Sequence, residues 1–133
     1  MMRKLNPLKL KDYDWNNIEI LLVVEEYTNN NQLAILLYEK ETWEYYTDLS
    51  VFVEEFSDKS YMAVDINNFP DAENIIKEHN LWQLVDYVHS WFVTYPVYEM
   101  DLDRLSQYDP EGVEKFKKDN NISKPKTVFD RLK

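Results

Sequence analysis

The sequence predicts an α+β fold: an antiparallel β-meander of about four or five strands packed with two to four short helices. Three observations lead to this prediction. Apolar or alternating runs of strand length follow one another in the first half of the chain. A segment with helical spacing comes next, opened by Pro70, and Asp101 and Asp109 mark two later helix starts. At 133 residues we expect one domain, over residues 1–121, and a basic tail over 122–133.

The first two strands are predicted at residues 17–27 and 32–40, which are rich in Ile, Leu and Val. Thr28 and three Asn residues separate them, and Asn tolerates the left-handed backbone that a tight hairpin turn needs. Both runs are apolar on both faces, which is typical of central strands that are covered on each side. A further strand is predicted at 61–66.

The strand predicted at 43–53 has a clear alternation of side chains. One face is apolar and is predicted to point inward; it consists of Trp43, Tyr45, Thr47, Leu49, Val51 and Val53. The other face is predicted to point outward; it consists of Glu44, Tyr46, Asp48, Ser50, Phe52 and Glu54. The pattern therefore indicates a strand whose outer face is wet and acidic.

The stretch VDINNFPDAENIIKEHN, at 64–80, predicts a corner between a strand and a helix. Pro70 suits the first helical position because its missing N–H costs nothing there. The double Asn would turn the chain, and Asn80 would end the helix in left-handed backbone. Pro110 directly follows Asp109 and predicts the first turn of the last helix.

Residues 81–92 allow two interpretations. A helix is favoured by the spacing of Leu81, Leu84, Val85 and Val88. The overlapping run at 91–100 resembles a strand instead. Pro96 interrupts that run, and we expect it at a sheet edge or a strand end because proline cannot donate to a β-ladder.

Composition restricts the chemistry of the chain. There is no Cys, which excludes disulfides and thiolate catalysis and fits a reducing compartment. Only one Gly is present, so neither a Gly-rich phosphate loop nor a dinucleotide fingerprint can form. The longest apolar runs, at 20–24 and 33–38, are far too short to cross a bilayer. We therefore expect a cytoplasmic protein with no membrane contact.

No group of residues supports an enzyme, and we expect no catalytic site, no cofactor and no metal. His79 and His89 are the only histidines, and His89 with Asp86 provides only two of the three or four ligands that a metal needs. Asp65 is the best single candidate for a catalytic acid, since it follows an apolar strand and precedes the double Asn. The favoured interpretation is a carboxylate that bonds the backbone N–H groups of its own turn.

The distribution of charge is the most unusual feature of the sequence. The net charge is −10, but residues 12–109 contain 21 acids and four bases, whereas both ends of the chain are basic. An acidic body of this kind repels the phosphates of DNA and RNA, so we expect no direct nucleic-acid binding. It suits a partner protein with a basic groove made for nucleic acid, because carboxylates can take the places of phosphates.

Two acidic patches are the candidate contact surfaces. The first consists of Glu44, Asp48, Glu54, Glu55 and Asp58. The second consists of Glu99, Asp101 and Asp103. If the ambiguous segment is exposed, it adds an apolar anchor made of Trp82, Tyr87 and Trp91. A surface that serves solubility alone is the alternative interpretation of both patches.

Three segments carry a family resemblance: NNNQLAILLYEKE, YMAVDINNFPDAENIIKEHNL and TYPVYEMDLDRL. Together they resemble a small domain-of-unknown-function family of plasmids, phages and conjugative elements. Its members have an Asn-rich turn, a Val-Asp-x-Asn-Asn element and a Tyr-Pro-x-Tyr segment. The resemblance covers residues 27–105 and implies no catalytic residue. It implies a genomic setting where small inhibitors of host defence are common. Between the last two segments the family tends to have a Gly-rich, basic loop, where this chain has WQLVDYVHSW.

We therefore expect a non-catalytic acidic protein of a mobile genetic element. Its partner would be a nucleic-acid-binding defence protein, such as a CRISPR nuclease or a restriction enzyme, which it would inhibit by phosphate mimicry. Two alternatives remain open. One is a structural accessory protein of a mobile element that uses an aromatic patch for protein assembly. The other is a small carboxylate-based hydrolase.

Overall fold

The structure is a computed structural model, and it describes residues 3–11 and 15–122. These residues form eight strands and three α-helices. The strands are β1 (Leu8–Lys11), β2 (Asn17–Glu26), β3 (Leu33–Glu39), β4 (Tyr45–Asp48), β5 (Ser50–Val51), β6 (Tyr61–Val64), β7 (Trp82–Ser90) and β8 (Val93–Met100). The helices are α1 (Ala72–Glu78), α2 (Leu102–Ser106) and α3 (Pro110–Asp119). The α+β class and the strand meander are confirmed, with more strands than the sequence predicted.

The first sheet is an antiparallel meander in the order β1-β2-β3-β4. Its central strands β2 and β3 are mostly buried, as their two apolar faces predicted. Asn31 lies in the turn between them with a φ of 58°, the left-handed conformation that Asn tolerates. β1 is missing from the sequence prediction because only Leu8 and Leu10 alternate there with lysines, which is too short a pattern to detect.

The second sheet has the order β5-β6-β8-β7, so β4 and β5 belong to different sheets. The single strand predicted at 43–53 is therefore wrong. Trp43 and Tyr45, predicted to point inward, are exposed because Trp43 lies in the turn between β3 and β4 and Tyr45 is the first residue after it. Ser50, predicted to point outward, is buried because its Oγ accepts a hydrogen bond from the backbone N–H of Ile35 at 3.0 Å.

The main core lies between the two sheets and the helices. Each helix contributes a fully buried side chain, namely Ile76, Leu105 and Phe116. They pack with residues of both sheets, among them Leu22, Leu37, Met62 and Tyr98. A smaller core cluster lies on the opposite face of the second sheet and consists of Ala63, Val88, Tyr95 and Val97. The second sheet is therefore covered, at least in part, on both faces.

The predicted starts of the last two helices are confirmed. The Asp101 carboxylate accepts a hydrogen bond from the backbone N–H of Arg104 at 3.1 Å and caps α2. The Asp109 carboxylate accepts one from Gly112 N–H at 3.1 Å and caps α3, and Pro110 is the first helical residue. Local chemistry decides both of these boundaries.

The corner before α1 is the turn that the sequence predicted, with one difference. Asp65 is buried, and its carboxylate accepts hydrogen bonds from the backbone N–H and the side-chain amide of Asn68 at 3.1 and 3.0 Å. The helix begins at Ala72 rather than at Pro70, which lies in the preceding turn. That turn is closed by a hydrogen bond from Ala72 N–H to the carbonyl of Phe69.

Residues 81–92 form the strand β7 and its turn, not a helix. Pro96 lies inside β8, opposite Tyr87, and not at a strand end, which leaves the sheet edge as the other expected position. The pairing of β6 with β8 reaches only as far as the pair of Ala63 and Val97. At Pro96, β8 therefore has a neighbour on one side only among the described strands, and the proline is tolerated because this stretch is locally a sheet edge.

The two ends of the chain are described in part. Arg3 contacts Asp109 through its guanidinium, which ties the N-terminal segment to α3. Ile122 packs against the main core, whereas residues 123–133 of the predicted tail lie outside the described residues. None of the described helices has the length and apolar character that a membrane crossing requires.

Candidate interaction surface

An exposed apolar surface runs along β7 and around the turn that joins it to β8. Ten large apolar side chains of the described residues are exposed, and six of them lie in this one hairpin. We name them the hairpin surface; they are Trp82, Leu84, Val85, Tyr87, Trp91 and Phe92. A concentration of this kind is typical of an interaction site, since soluble proteins usually place charge on an outer strand.

The register of the sheet shows how these side chains point. Three residues of the hairpin surface lie on the same face of the sheet as Tyr98, namely Trp82, Leu84 and Tyr87. This face of the sheet is turned toward the main core, to which Tyr98 belongs. Tyr98 is buried there, but its neighbours on β7 remain 42–55% exposed because β7 is the outer strand. Val88 points to the opposite face and is buried in the smaller core cluster. The face that contains Val88 thus holds the hairpin against the smaller core cluster, and the face that contains Trp82, Leu84 and Tyr87 is exposed to solvent.

The turn of the hairpin consists of two residues, Trp91 and Phe92, between the paired residues Ser90 and Val93. Both aromatic side chains are almost fully exposed, at 95% and 90%. Trp91 has a φ of 58°, a conformation that costs an L-residue roughly 1–2 kcal/mol and that Gly usually supplies in such turns. A bulky residue therefore occupies strained backbone where it gains no burial, which is typical of a functional position.

A positive φ recurs at every Trp of the chain, close to 60° at Trp15, Trp43 and Trp91 and at 139° at Trp82. Trp15, Trp43, Trp82 and Trp91 all have positive φ, and all four are exposed. The chain contains only one Gly, so these turns are made without the residue that adopts positive φ most easily. Trp82 is the first residue of β7, and Trp91 lies in the turn directly after it.

The open edge of β7 is protected against pairing with another strand. Pro96 has no N–H, so its pair with Tyr87 is a non-hydrogen-bonded one, and the N–H of Tyr87 points away from β8. The Asp86 carboxylate accepts that N–H at 2.7 Å. A register shift leaves Val85 as a bulge beside it. Charges and bulges oppose edge-to-edge pairing, so the contact surface is made by side chains rather than by backbone groups.

The hairpin surface is large enough for a stable contact. Its two turn aromatics expose on the order of 400 Å². All six residues together expose on the order of 700 Å². One partner in a standard protein–protein interface buries about 800 Å². The surface therefore has the size of one side of such an interface.

The fold divides the first predicted acidic patch. Glu44 lies in the turn after β3, whereas residues 54–58 lie in the loop between β5 and β6. That loop is held at the opposite end of β3, where Phe56 N–H donates to the side chain of Gln32 at 3.1 Å. The length of β3, about 20 Å, separates the two groups. Asp48 lies between them, half-buried.

Several acids of this first patch already have partners. Glu55 forms an ion pair with Lys59 at 3.1 Å. Asp58 accepts hydrogen bonds from the N–H and the hydroxyl of Ser60 at 2.9 and 2.7 Å. Asp48 accepts one from the hydroxyl of Tyr45 at 2.9 Å. Among the acids of this first patch, those whose carboxylates make no such bond with described residues are Glu44 and Glu54.

The second acidic patch follows the base of the hairpin. Glu99 lies on β8 and accepts a hydrogen bond from the Gln83 amide at 3.2 Å. Asp101 caps α2, and Asp103 forms an ion pair with Lys117 at 3.4 Å. These acids therefore lie close to the hairpin surface in the chain, and all three have partners within the chain.

Two oppositely shifted carboxyls meet at a place that sequence spacing does not reveal. Lys115 Nζ lies 3.2 Å from Glu26 Oε2 and 2.6 Å from Asp119 Oδ2. Burial and the hydrogen bond with Asp119 raise the pKa of Glu26, whereas the hydrogen bond from Lys115 lowers the pKa of Asp119. Glu26 Oε1 is buried without a hydrogen bond to the described residues. The cluster joins β2 to α3 and includes none of the predicted site residues.

The histidines have structural partners. His89 Nδ1 lies 2.8 Å from the hydroxyl of Thr94 across the hairpin, and His79 Nε2 lies 3.2 Å from the carbonyl of Lys9. Over residues 3–11 and 15–122, no three His, Asp or Glu side chains converge as metal ligands do. Asp65 serves its own turn, as the favoured interpretation of the sequence predicted.

A groove of about 620 Å³ lies between β1 and α1. Its apolar walls include Trp15, Tyr46 and Phe69, with two lysines of β1 on one side. It contains none of the residues that the sequence singled out for partner binding.

Sequence reasoning found three residues of the hairpin surface and missed the other three. The missed residues are Leu84, Val85 and Phe92. For Phe92 a signal was present: residues 87–98 contain no Asp, Glu, Lys or Arg, although 30% of the chain is charged. Leu84 and Val85 lie outside that run, and their apolar spacing fitted a buried helix face equally well. The charge-free, aromatic run was thus visible in the sequence, whereas its place on the outer strand of a sheet was not.

The comparisons with known proteins agree with the resemblance to a family of unknown function. The family model extends beyond the 27–105 span of that resemblance at both ends. No curated protein and no solved structure matches the chain. The match covers residues 21–120, three quarters of the sequence and the elements from β2 to α3. This chain therefore belongs to the family described as Domain of unknown function (DUF4313).

Proposed function

We propose that this chain is a non-catalytic binding protein that contacts a partner protein through the hairpin surface. One observation carries the proposal: six large apolar side chains are exposed together on an outer strand and its turn. Contact with a partner would remove this area from water, which is the main favourable contribution to protein association. Trp and Tyr in particular are the residues that dominate the binding energy of interfaces.

The charge of the chain supports a more specific form of this function. The partner would be a nucleic-acid-handling defence protein, such as a CRISPR nuclease or a restriction enzyme, and the chain would be encoded on a mobile genetic element. An acidic body would be steered toward a basic groove by the long-range field. Glu44 and Glu54 offer carboxylates that make no ion pair with described residues, so they are available to replace phosphates.

The alternative function, assembly of a mobile-element complex, is favoured by the apolar character of the same hairpin. The two functions differ in what they require of the acids. An assembly contact depends on the aromatic side chains and changes little with salt, whereas phosphate mimicry weakens steeply as salt screens the charges.

Two double variants separate these functions. The first is Tyr87→Ser with Trp91→Ser, and the second is Glu44→Lys with Glu54→Lys. Each is tested for binding to purified CRISPR nucleases and restriction enzymes at 50 and 300 mM salt, with and without competing duplex DNA. Glu114→Lys, an exposed charge change on α3, is the matched control.

Phosphate mimicry predicts that the Glu44 and Glu54 variant and the DNA competitor both weaken binding, and that the control does not. Unchanged affinity of that variant at 50 mM salt rules mimicry out. Unchanged affinity of the Tyr87 and Trp91 variant rules the hairpin surface out. Loss of binding in the aromatic variant alone, with no effect of DNA, favours an apolar protein contact without phosphate mimicry.

A further inference from the structure

The end of the hairpin projects past the rest of its sheet. The ladder between β6 and β8 stops at Val97, so the paired residues from Tyr87 to the turn form a two-stranded ribbon. From Tyr87 to Trp91 this ribbon is about 13 Å long. It ends in the two most exposed aromatic residues of the described chain, Trp91 and Phe92.

The ribbon packs against the rest of the protein through one of its faces. Val88 and Tyr95 are both buried, and they pack in a cluster that includes Val53 and Phe56 from the loop after β5. A cross-strand hydrogen bond between His89 and Thr94 adds to this support. Because the ribbon is already ordered, docking it costs little conformational entropy, which is the condition for a tight contact by a small element.

Charge divides the hairpin into an uncharged end and an acidic base. The ribbon and its turn lie within the charge-free run 87–98. The first charges on either strand are Asp86 and Glu99, and they lie on the same face, since Asp86 pairs with Val97, two residues before Glu99. A surface that fits this hairpin is therefore apolar where it receives the end and cationic where it meets the base.

We infer that the hairpin is an insertion element, which enters an apolar cleft of a partner protein tip first, with Lys or Arg side chains at the mouth of that cleft opposite Asp86 and Glu99. The inference rests on the proposed function and names the kind of surface that the partner presents. Trp91 and Phe92 fill the bottom of the cleft, about 17 Å below its mouth, since Asp86 lies five residues before Trp91.

Two other occupants are disfavoured by the same residues. A second copy of the chain would bring another net charge of −10 and a second protected edge, so like charges and the Asp86 cap oppose it. A bilayer would accept the aromatic end, but the negative surface of an anionic membrane repels Asp86, Glu99 and the acidic body. A protein cleft with a basic mouth satisfies both the end and the base.

The test uses the full chain and two kinds of cross-link in an extract of its natural host. A photoreactive benzoylphenylalanine at position 92 reports what surrounds the tip. A carbodiimide, which joins carboxylates to amines, reports whether Asp86 or Glu99 lies beside a lysine of the partner. Both cross-links are mapped to residues by mass spectrometry, because capture of a protein alone does not locate the contact.

The expected result is one partner in which the tip cross-links to apolar residues inside a cleft and the base cross-links to lysines at its mouth. Affinity for this partner should fall at least about 100-fold in Trp91→Ser with Phe92→Ser. Asp86→Asn with Glu99→Gln should slow association about tenfold at low salt, and Asn retains the cap on Tyr87. Trp43→Ser, another exposed Trp with positive φ, is the matched control and should leave binding unchanged.

Three results would overturn this inference. The first is a partner that binds the Trp91 and Phe92 variant as tightly as the original chain, which would leave the proposed function standing. The second is a dimer of this chain, seen by light scattering, that the same variant abolishes. The third is cosedimentation with phosphatidylcholine vesicles, with or without phosphatidylserine, that the variant abolishes. If the chain engages no protein by either cross-link, the proposed function fails together with the inference.

Discussion

Arg3 and Asp109, 106 residues apart in the sequence, form an ion pair in which Arg3 Nε and Nη2 lie 2.9 and 2.5 Å from the two carboxylate oxygens. Asp109 is fully buried and also accepts the backbone N–H of Val24 at 2.8 Å. This carboxylate thus joins the N-terminal segment, β2 and α3. It is the point where the basic start of the chain meets the acidic body.

Asp109→Ala should lower the free energy of unfolding by about 3–5 kcal/mol, because it leaves a guanidinium and several N–H groups without their partner. Urea denaturation measures this loss. Glu25→Ala is the control, since the exposed Arg3–Glu25 pair at 3.3 Å should contribute less than about 1 kcal/mol. Equal losses in the two variants would mean that the buried pair is not the stabilising one.

Substitution of Gly112 should destabilise the fold, because there is no room for a side chain at this position. In an exposed helix, Gly→Ala stabilises by about 1 kcal/mol. Here an added Cβ would collide with the Asp109 carboxylate and the Arg3 guanidinium. Gly112→Ala should therefore lower the melting temperature, at a cost of about 1–3 kcal/mol. Glu114→Ala, two residues along the same helix, should change stability by less than about 0.5 kcal/mol.

Tyr98 donates a hydrogen bond to Glu73 Oε2 at 2.5 Å from a buried position. Burial raises the pKa of Tyr98 above its usual value, and the bond to Glu73 raises it further. Below pH 10 both the folded and the unfolded chain keep this proton, so the contribution to stability is complete. As the pH rises above about 10, the unfolded chain ionises first, and the contribution declines.

Tyr98→Phe should therefore lower the free energy of unfolding at pH 8 by about 1.5–3 kcal/mol, the usual contribution of a hydrogen bond to a charged group. The difference from the original chain should shrink between pH 10 and pH 11.5. Urea midpoints at several pH values provide the measurement. Tyr87→Phe, at an exposed position, should leave the stability at pH 8 unchanged.

Glu26→Gln should stabilise the chain at neutral pH by about 1 kcal/mol, because it removes a desolvated charge whose Oε1 has no hydrogen bond to the described residues. The raised pKa of Glu26 means that the folded state favours the protonated form. The penalty is therefore absent below the unfolded pKa and grows as the pH rises through the folded one. Calorimetric melting at pH 4 and pH 7 should show a gain only at pH 7.

Trp91→Gly should raise the stability by about 0.5–1 kcal/mol, since Gly adopts the positive φ without strain and no buried contact is lost. Phe92 has ordinary negative φ, so Phe92→Gly should instead lower the stability by a similar amount. Thermal melting of the two variants provides the comparison. A loss of stability in Trp91→Gly would show that the indole supports the fold, contrary to its assignment as a contact residue.

Features decided by neighbouring residues could be predicted from the sequence. The caps Asp101 and Asp109, the Asn31 turn and the Asp65 corner all depend on chemistry within three or four residues. The strands β2 and β3 were predictable because long apolar runs leave few alternatives. The break between β4 and β5 could not be predicted. The alternation of inward and outward side chains continues unchanged where the chain passes from one sheet to the other.

The candidate site shows a different limit. Apolar periodicity assumes that an apolar face is buried, and β7 has apolar residues that face solvent, so its pattern could be matched to a helix as well as to a strand. The pairing of Glu26 with Asp119, or of Arg3 with Asp109, joins residues that are far apart in the chain and leaves no local signal. Aromatic composition indicated a contact surface, but its position required the register of the second sheet.

Because every indole of this chain lies at the surface, its intrinsic fluorescence reports on solvent rather than on the core. Indole emits at longer wavelength in water than in apolar surroundings, so the native emission maximum should already lie close to that of the unfolded chain. Docking at the hairpin would shift part of that emission to the blue. Tryptophan fluorescence, which is usually used to monitor unfolding, would in this protein report the binding of a partner to the hairpin.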